Sequence, residues 1–364
     1  MPIHSPLLNK PRLVEKLRHF YNYVNRNDGK VGTKTRGIDL NLNNACNLRC
    51  KYCFTNSPKG DHVTEILSPE VLASVADQAD ELGYFEFDLQ GGELLLRPDI
   101  LFESLEAIKP ERFYLYLTTN GFHLDAKMAK RLAEAQVSRV SVSIDSMDEN
   151  THDDIRGRKQ SWRRAIEGLK HVQNAGMDPY LNITMGHYNA FDPGFEELIK
   201  YSKKNNYKTL INIAVPAGMW SQMSEVMLDD RDREHLTKLR KEYKNLVRNI
   251  WNPFDKSYEK SIGCTTVNRI YITPLGDVLA CPYVHIKIGN VKEQSLKEIV
   301  DYGFSIKHFN EHSPICFAGE NKEFVKNFIS KSGQSIFRPS HAKDIFPEKD
   351  FLKSTEYKVF VNSK

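Results

Sequence analysis

The sequence predicts an α/β protein: a parallel sheet wound as a partial (β/α)6 barrel, with a small C-terminal extension of different character. Two observations predict it. Six short strand-like runs alternate with helical patterns between residues 37 and 215, and at residue 264 that alternation gives way to a hairpin pattern. A chain of 364 residues accommodates one large domain plus an appendage and buries enough surface to need no disulfide staples.

Residues 1–35 read as a basic helical leader, LVEKLRHFYNYVNR, and a glycine-containing loop. The barrel is expected over 36–227. Its strands are GIDLNLN (37–43), YFEFDLQ (84–90), RFYLYLTT (112–119), RVSVSID (139–145), YLNITM (180–185) and TLINIAV (209–215). Each is rich in apolar, β-branched or aromatic residues and is bounded mostly by Gly, Asn, Asp or Pro. Helical patterns fill the gaps at 68–83 and near 98–108, 124–136, 160–175 and 194–205. In the first, Ser68 and Pro69 suit the N-cap and first turn, and Gly83 suits the stop. A charged helix over 228–250 opens a linking segment, 228–262, broken at NPF (252–254). Residues 263–320 form a second, smaller unit. It holds a hairpin in NRIYITPLGDVLACPY, turning at Pro274, Gly276 and Asp277, and then an amphipathic helix near SLKEIVDYG. The tail, 321–364, is basic and only partly patterned.

A formal charge of +4, without a concentrated basic stripe, argues against nucleic acid as a partner. No apolar run reaches membrane-spanning length, and the N-terminus lacks the apolar core of a signal peptide. A cytoplasmic location is therefore expected, where thiols stay reduced. Six cysteines in that setting are free, catalytic or metal-bound rather than paired.

Three of them fall in NNACNLRCKYCF, directly after the first strand, as Cys46-x3-Cys50-x2-Cys53. Thiolates this close can wrap one iron–sulfur cube. A structural zinc site needs a fourth protein ligand, and His62 is the neighbour that offers one. Three protein ligands on a four-iron cluster leave one iron open. The spacing, with Tyr52 before the third cysteine, resembles the motif of the radical S-adenosylmethionine (SAM) superfamily. That resemblance implies a [4Fe-4S] cluster whose open iron binds the amino and carboxylate groups of SAM. It implies one-electron cleavage, fed by a flavodoxin- or ferredoxin-type donor, to a 5′-deoxyadenosyl radical that takes hydrogen from substrate.

Gly91, Gly92 and Glu93, in LQGGELLLRPD at the end of the second strand, resemble the superfamily's Gly-Gly-Glu motif, which contacts the methionine amine. Paired glycines at a strand end let backbone approach a ligand. Barrels carry their sites at the C-terminal ends of strands, where Asn120, Ser143, Asp145 and Asn182 fall. Ser143 and Arg156 resemble positions that contact the SAM ribose and carboxylate. Their structural alternatives are a helix-facing Ser143 and an Arg156 paired with Asp153 or Asp154. Asn120 serves equally as a turn cap.

Cys264, Cys281 and Cys316 lie around YITPLGDVLACPY and IGNVKEQSLKEI, which resemble the SPASM/twitch extension that holds auxiliary clusters. Three cysteines supply one further [4Fe-4S] cluster, so the short twitch form is expected. Its fourth position is open to substrate or filled by His285, His312 or Asp277; unrelated buried cysteines are the alternative.

The segment ahead of the first strand is short for a peptide-leader-binding module. The expected substrate is therefore a small polar molecule, carbohydrate-like or nucleoside-like, oxidised with help from the auxiliary cluster. Peptide maturation and a non-catalytic iron–sulfur protein are the competing functions. With all six cysteines as ligands, none is free to return a hydrogen atom to substrate.

Overall fold

The computed structural model describes residues 9–57, 65–253, 255–332 and 335–353; His62 lies outside them. Strands β1 (Gly37–Asn41), β2 (Glu86–Gln90), β3 (Tyr114–Thr119), β4 (Arg139–Ser143), β5 (Asp178–Met185) and β6 (Lys208–Ile213) lie side by side in chain order, each parallel to the next. A leader helix, α1 (Pro11–Arg26), precedes them. Helices α2 (Pro69–Glu81), α3 (Pro98–Ile108), α4 (Ala126–Glu134), α5 (Glu149–Arg156), α6 (Ser161–Asn174) and α7 (Pro193–Lys204) connect the strands. This is the partial (β/α)6 barrel that the alternation predicts.

Local chemistry sets the helix ends. The side chains of Ser68, Asp125, Asp148 and Asp192 each accept a backbone N–H of the first turn of α2, α4, α5 and α7. The sequence pattern does not show α5, because eight residues are too few to display a period; Gly157, at φ 67°, ends it.

Strand β2 explains why the barrel is hollow. Phe87 and Leu89 are buried against the helices, whereas Glu86, Asp88 and Gln90 alternate with them and are half-buried on the inner side. The N-terminal end is closed by α1, whose Leu13, Phe20 and Val24 pack with Phe85 and Ile262. Just before α1, the buried Lys10 ammonium donates to the carbonyls of Pro110, Phe113 and Gln136 and to Ser138 Oγ, at 2.9–3.2 Å. The open end is therefore the C-terminal one.

Two features depart from the sequence expectation. The charged helix over 228–250 ends early: α8 spans Asp230–Glu242, started by a capping box between Asp229 and Asp232. After it, β7 (Leu246–Val247) adds to β6 in parallel. Unpaired backbone groups on the β6 edge and burial of Leu246 outweigh the helical charge pattern.

The second departure is at the other edge. The hairpin of β8 (Arg269–Ile272) and β9 (Asp277–Cys281) forms as expected, with Gly276 at φ 89° in the turn. It is not separate from the barrel, however. β8 pairs with β1 in parallel, while β10 (Val284–Asn290) and β11 (Ser340–His341) extend the same sheet. The described sheet thus has eleven strands, in the order β11-β10-β9-β8-β1-β2-β3-β4-β5-β6-β7. The expected amphipathic helix is α9 (Leu296–Ser305), capped by Ser295 and Glu298. No described helix is long and apolar enough to cross a membrane.

Candidate active site

A cavity of about 240 Å³ opens at the C-terminal ends of the strands. Cys46, Cys50, Cys53, Cys264, Cys281 and Cys316 all line it, and all six thiols are free.

The loop carrying Cys46, Cys50 and Cys53 leaves β1 and is clamped from two sides. On one side, Gly92 N donates to Asn43 O at 2.8 Å and Glu93 N to Ala45 O at 2.7 Å. A Cβ at Gly91 would lie 2.2 Å from Asn43 O, and one at Gly92 would lie 2.2 Å from Ala45 O. These glycines line the cavity, and they also let the end of β2 touch the cysteine loop. On the other side, Arg49 N and Lys51 N donate to the carbonyls of Arg156 and Ile155, both at 3.0 Å.

The thiols have modest partners: Leu48 N at 3.4 Å from Cys46 Sγ, Thr55 Oγ1 at 3.2 Å from Cys53 Sγ, and Arg156 Nη1 at 3.7 Å from Cys50 Sγ. Burial pushes the Cys46 thiol up to about 12 and raises that of Cys50; neighbouring cysteines oppose ionisation further. A metal centre bound here would have to take the protons from Cys46 and Cys50 as it bound, because thiolates, not thiols, are its ligands.

Arg156 pairs with neither Asp153 nor Asp154. Its Nε donates to Asp145 Oδ2 at 2.6 Å and its Nη2 to Asp145 Oδ1 at 3.2 Å. Tyr52 donates its hydroxyl to the same carboxylate, and its ring centroid lies 5.3 Å from the guanidinium. Asp153 instead accepts from Gln160 N, Ser161 Oγ and Trp162 N at the start of α6, and Asp154 holds Lys51. The Tyr52–Asp145–Arg156 unit thus braces the loop beside Cys50.

Behind it, buried His152 accepts Asp145 N at 3.1 Å, and burial pushes its imidazole down to about 4. The fold therefore holds His152 neutral while the unfolded chain protonates it. Its contribution is present above about pH 6.5 and is lost as pH falls from there through 4, a loss of about 3 kcal/mol. Unfolding free energies measured across that window should fall in the wild type and flatten in His152→Gln.

Glu93, the third residue of the motif, turns its side chain into the protein. It is 1% exposed, and its carboxylate accepts from Thr119 Oγ1, Asn120 N and Leu95 N at 2.6–3.0 Å. It ties the end of β2 to the end of β3. Asn120 lines the cavity and also caps the turn through Phe122 N, while its amide donates to Asn47 of the cysteine loop at 2.8 Å. Ser143 lines the cavity beside Asn182, its register partner on β5.

The second triad comes from three separate segments. Cys264 N donates to Ser313 O at 2.7 Å, its Sγ lies 3.2 Å from Thr266 Oγ1, and Cys281 closes β9. Burial pushes the Cys281 thiol up to about 12. Cys316 N donates to Glu320 Oε2 at 2.7 Å, and Arg248 grips that carboxylate at 3.2 and 2.5 Å. The Arg248 and Glu320 side chains are 8% and 1% exposed. Glu320→Ala would strand a buried guanidinium and is expected to cost about 3–5 kcal/mol. Chemical denaturation measures this; a loss under about 1 kcal/mol would contradict the pairing.

None of the three residues considered for a fourth ligand lines the cavity. His285 is buried with Nε2 at 3.1 Å from Pro282 O, His312 packs against Gly263, and Asp277 holds Lys287 and Asn290.

The sequence reading missed the floor of the cavity. Asp39, Asp88, Tyr116 and Arg269 meet there, Arg269 donating to Asp39 at 2.9 Å, to Glu86 at 2.9 Å and to the Tyr116 hydroxyl. The available signal was polar residues at every second position of β1 and β2, an inward face too polar to be packed core.

Residues 40–202 match the family described as Radical SAM superfamily, and residues 264–318 match the one described as an iron–sulfur cluster-binding domain, SPASM. A probable GTP 3′,8-cyclase of Methanosarcina acetivorans is 26% identical over 284 residues, 74% of this chain and 84% of that protein. The GTP 3′,8-cyclase of Rippkaea orientalis is 35% identical over 156 residues, 41% of this chain and 47% of that protein. Among solved structures, anSMEcpe with bound AdoMet aligns with a TM-score of 0.59 at 20% identity, covering 85% of this chain and 92% of the other. Streptococcus suis SuiB bound to precursor peptide SuiA aligns with a TM-score of 0.59 at 17% identity, covering 79% and 68%. These two likenesses show the fold.

Proposed function

Because the chain belongs to the radical SAM superfamily and carries a SPASM iron–sulfur domain, we propose that it oxidises a small polar metabolite, carbohydrate-like or nucleoside-like, inside the cavity lined by both cysteine triads. It is a radical SAM enzyme that uses [4Fe-4S] clusters and SAM. When bound, the SAM-binding cluster supplies reductive cleavage of SAM and hence a hydrogen-abstracting radical.

In this proposal Cys46, Cys50 and Cys53 hold that cluster, and Cys264, Cys281 and Cys316 hold the auxiliary one. Gly91 and Gly92 present bare backbone to the methionine end of SAM, and Ser143 faces its ribose. Tyr52, Asp145 and Arg156 keep the cysteine loop rigid beside Cys50. Trp220 lines the cavity and packs on Tyr52 at 5.2 Å between ring centroids, excluding water from that end.

The observation that carries the proposal is the single confined cavity reached by all six thiols. A substrate held there lies beside both donor sets, so an electron lost from it has a nearby acceptor. The similarity to proteins named GTP 3′,8-cyclase supports a small-molecule substrate over a peptide.

The test uses anaerobic holoenzyme with SAM and reductant, supplied with cell extract divided at about 1 kDa. Stimulation of 5′-deoxyadenosine formation by the low-mass fraction is expected. Stimulation by the retained, protease-sensitive fraction alone would instead make the protein a peptide maturase.

A further inference from the structure

We infer that Gly218 is a positioning residue for Cys53: its bare backbone lets the segment that follows β6 grip the third ligand of the first triad. This rests on that triad holding the SAM-binding cluster, as proposed above.

The two clamps already described reach the first part of the loop. Gly92 N and Glu93 N hold Asn43 O and Ala45 O, ahead of Cys46, and carbonyls of α5 hold Arg49 N and Lys51 N on either side of Cys50. Cys53 lies beyond both. Its N–H donates to Cys50 O at 3.4 Å and its carbonyl accepts Asn56 N at 3.3 Å, bonds that stay inside the loop. Among the described residues, the backbone bond that reaches Cys53 from elsewhere in the fold is Met219 N to Cys53 O, at 2.9 Å.

Gly218 makes that bond possible. Residues Gly218–Trp220 form a short 3-10 turn, with Trp220 N on Ala217 O at 3.1 Å and Ser221 N on Gly218 O at 3.0 Å. The N–H groups that open such a turn have no partner within it, so that of Met219 is free for Cys53. A Cβ at Gly218 would stand 2.3 Å from Cys53 O and 2.5 Å from both C and Cα of Phe54. These are backbone atoms, and the Phe54 ring is itself packed on Tyr271 and Tyr283, at 6.3 and 5.5 Å between centroids. Gly218 also sits at φ 61°, a conformation that L side chains seldom adopt. The same turn lays Trp220 on the ring of Tyr52, so it meets the loop at two successive residues, Tyr52 and Cys53. A side chain here would push back a thiolate ligand and part the turn from the loop, and ligand geometry and solvent exposure both tune an iron–sulfur centre.

The test compares anaerobic wild-type holoprotein with Gly218→Ala and Gly218→Asn. Asparagine accepts a positive φ more readily than alanine, but both add a Cβ. Both variants are expected to lose at least about tenfold in 5′-deoxyadenosine formed from SAM and dithionite, while keeping at least about half of the iron. The change that SAM causes in the electron paramagnetic resonance spectrum of the reduced wild-type protein should be diminished in both. A Gly218→Asn protein with the wild-type rate and spectrum would make Gly218 a turn residue only and overturn the inference; so would a Gly218→Ala protein with both. Should neither variant fold, hydrogen exchange in the wild type decides. The Met219 amide should exchange at least about tenfold more slowly than that of exposed Gln222 in the same segment, and equal rates would overturn the inference. Wild-type protein that forms no 5′-deoxyadenosine would count against the proposed function alone, because the exchange comparison needs no turnover.

Discussion

The Cys46→Ala/Cys50→Ala/Cys53→Ala variant is expected to form no 5′-deoxyadenosine and to keep about half of the iron, on the second triad. The structure gives reasons for both halves. The first loop is positioned by backbone bonds, Gly92 N to Asn43 O and Arg49 N to Arg156 O, so removing thiols leaves its path intact while deleting its donors. The second triad is anchored independently, by Cys264 N on Ser313 O and by Cys316 N on Glu320. Cluster binding stabilises the folded state, so a lower melting temperature should accompany the loss. Full iron content in the variant would remove the first triad as a cluster site.

Gly92→Val should be nearly as damaging, although it deletes no ligand. Its Cβ would stand 2.2 Å from Ala45 O and 2.7 Å from Asn44 O. These are backbone atoms of the cysteine loop and cannot swing aside as a side chain can. Overpacking of this kind costs about 1–3 kcal/mol or more. A displacement of about 1 Å in a reacting geometry can cost about 100-fold in rate. We therefore expect 5′-deoxyadenosine formation to fall at least about 100-fold, with weaker SAM binding. An iron-replete Gly92→Val protein that binds and cleaves SAM normally would show that neither the loop nor the cofactor needs this close approach.

The parts of the site that the sequence reveals are those written in local spacing. Cys46, Cys50 and Cys53 lie within eight residues, and Gly91 and Gly92 mark a strand end, so short motifs carry them. The six barrel strands were legible for a similar reason, because short apolar and β-branched runs and their bounding turns are local. What was not legible depends on distant partners. Arg269 meets Asp39 across 230 residues, since β8 joins the barrel beside β1, and nothing in the hairpin sequence announces which edge it extends.

Arg156 shows the same limit at shorter range. Asp153 and Asp154 were the nearest acids in sequence, but they sit on the same helix and are engaged elsewhere. The guanidinium instead reaches Asp145, beyond the end of β4. The motif singles out Glu93 but says nothing of the carboxylate's partners, Thr119 and Asn120 at the end of β3, which only the fold brings near. The end of α8 was misjudged because alternating charge says only that a surface is solvated, not where a sheet edge will capture the chain.

The central claim is that this chain generates a SAM-derived radical in the cavity that its six cysteines line. Its most direct measurement is 5′-deoxyadenosine formation by anaerobically reconstituted protein given SAM and dithionite, with and without the low-mass extract. The account predicts 5′-deoxyadenosine, at a rate that rises with the extract. An intact, reducible cluster that forms none under either condition would contradict it.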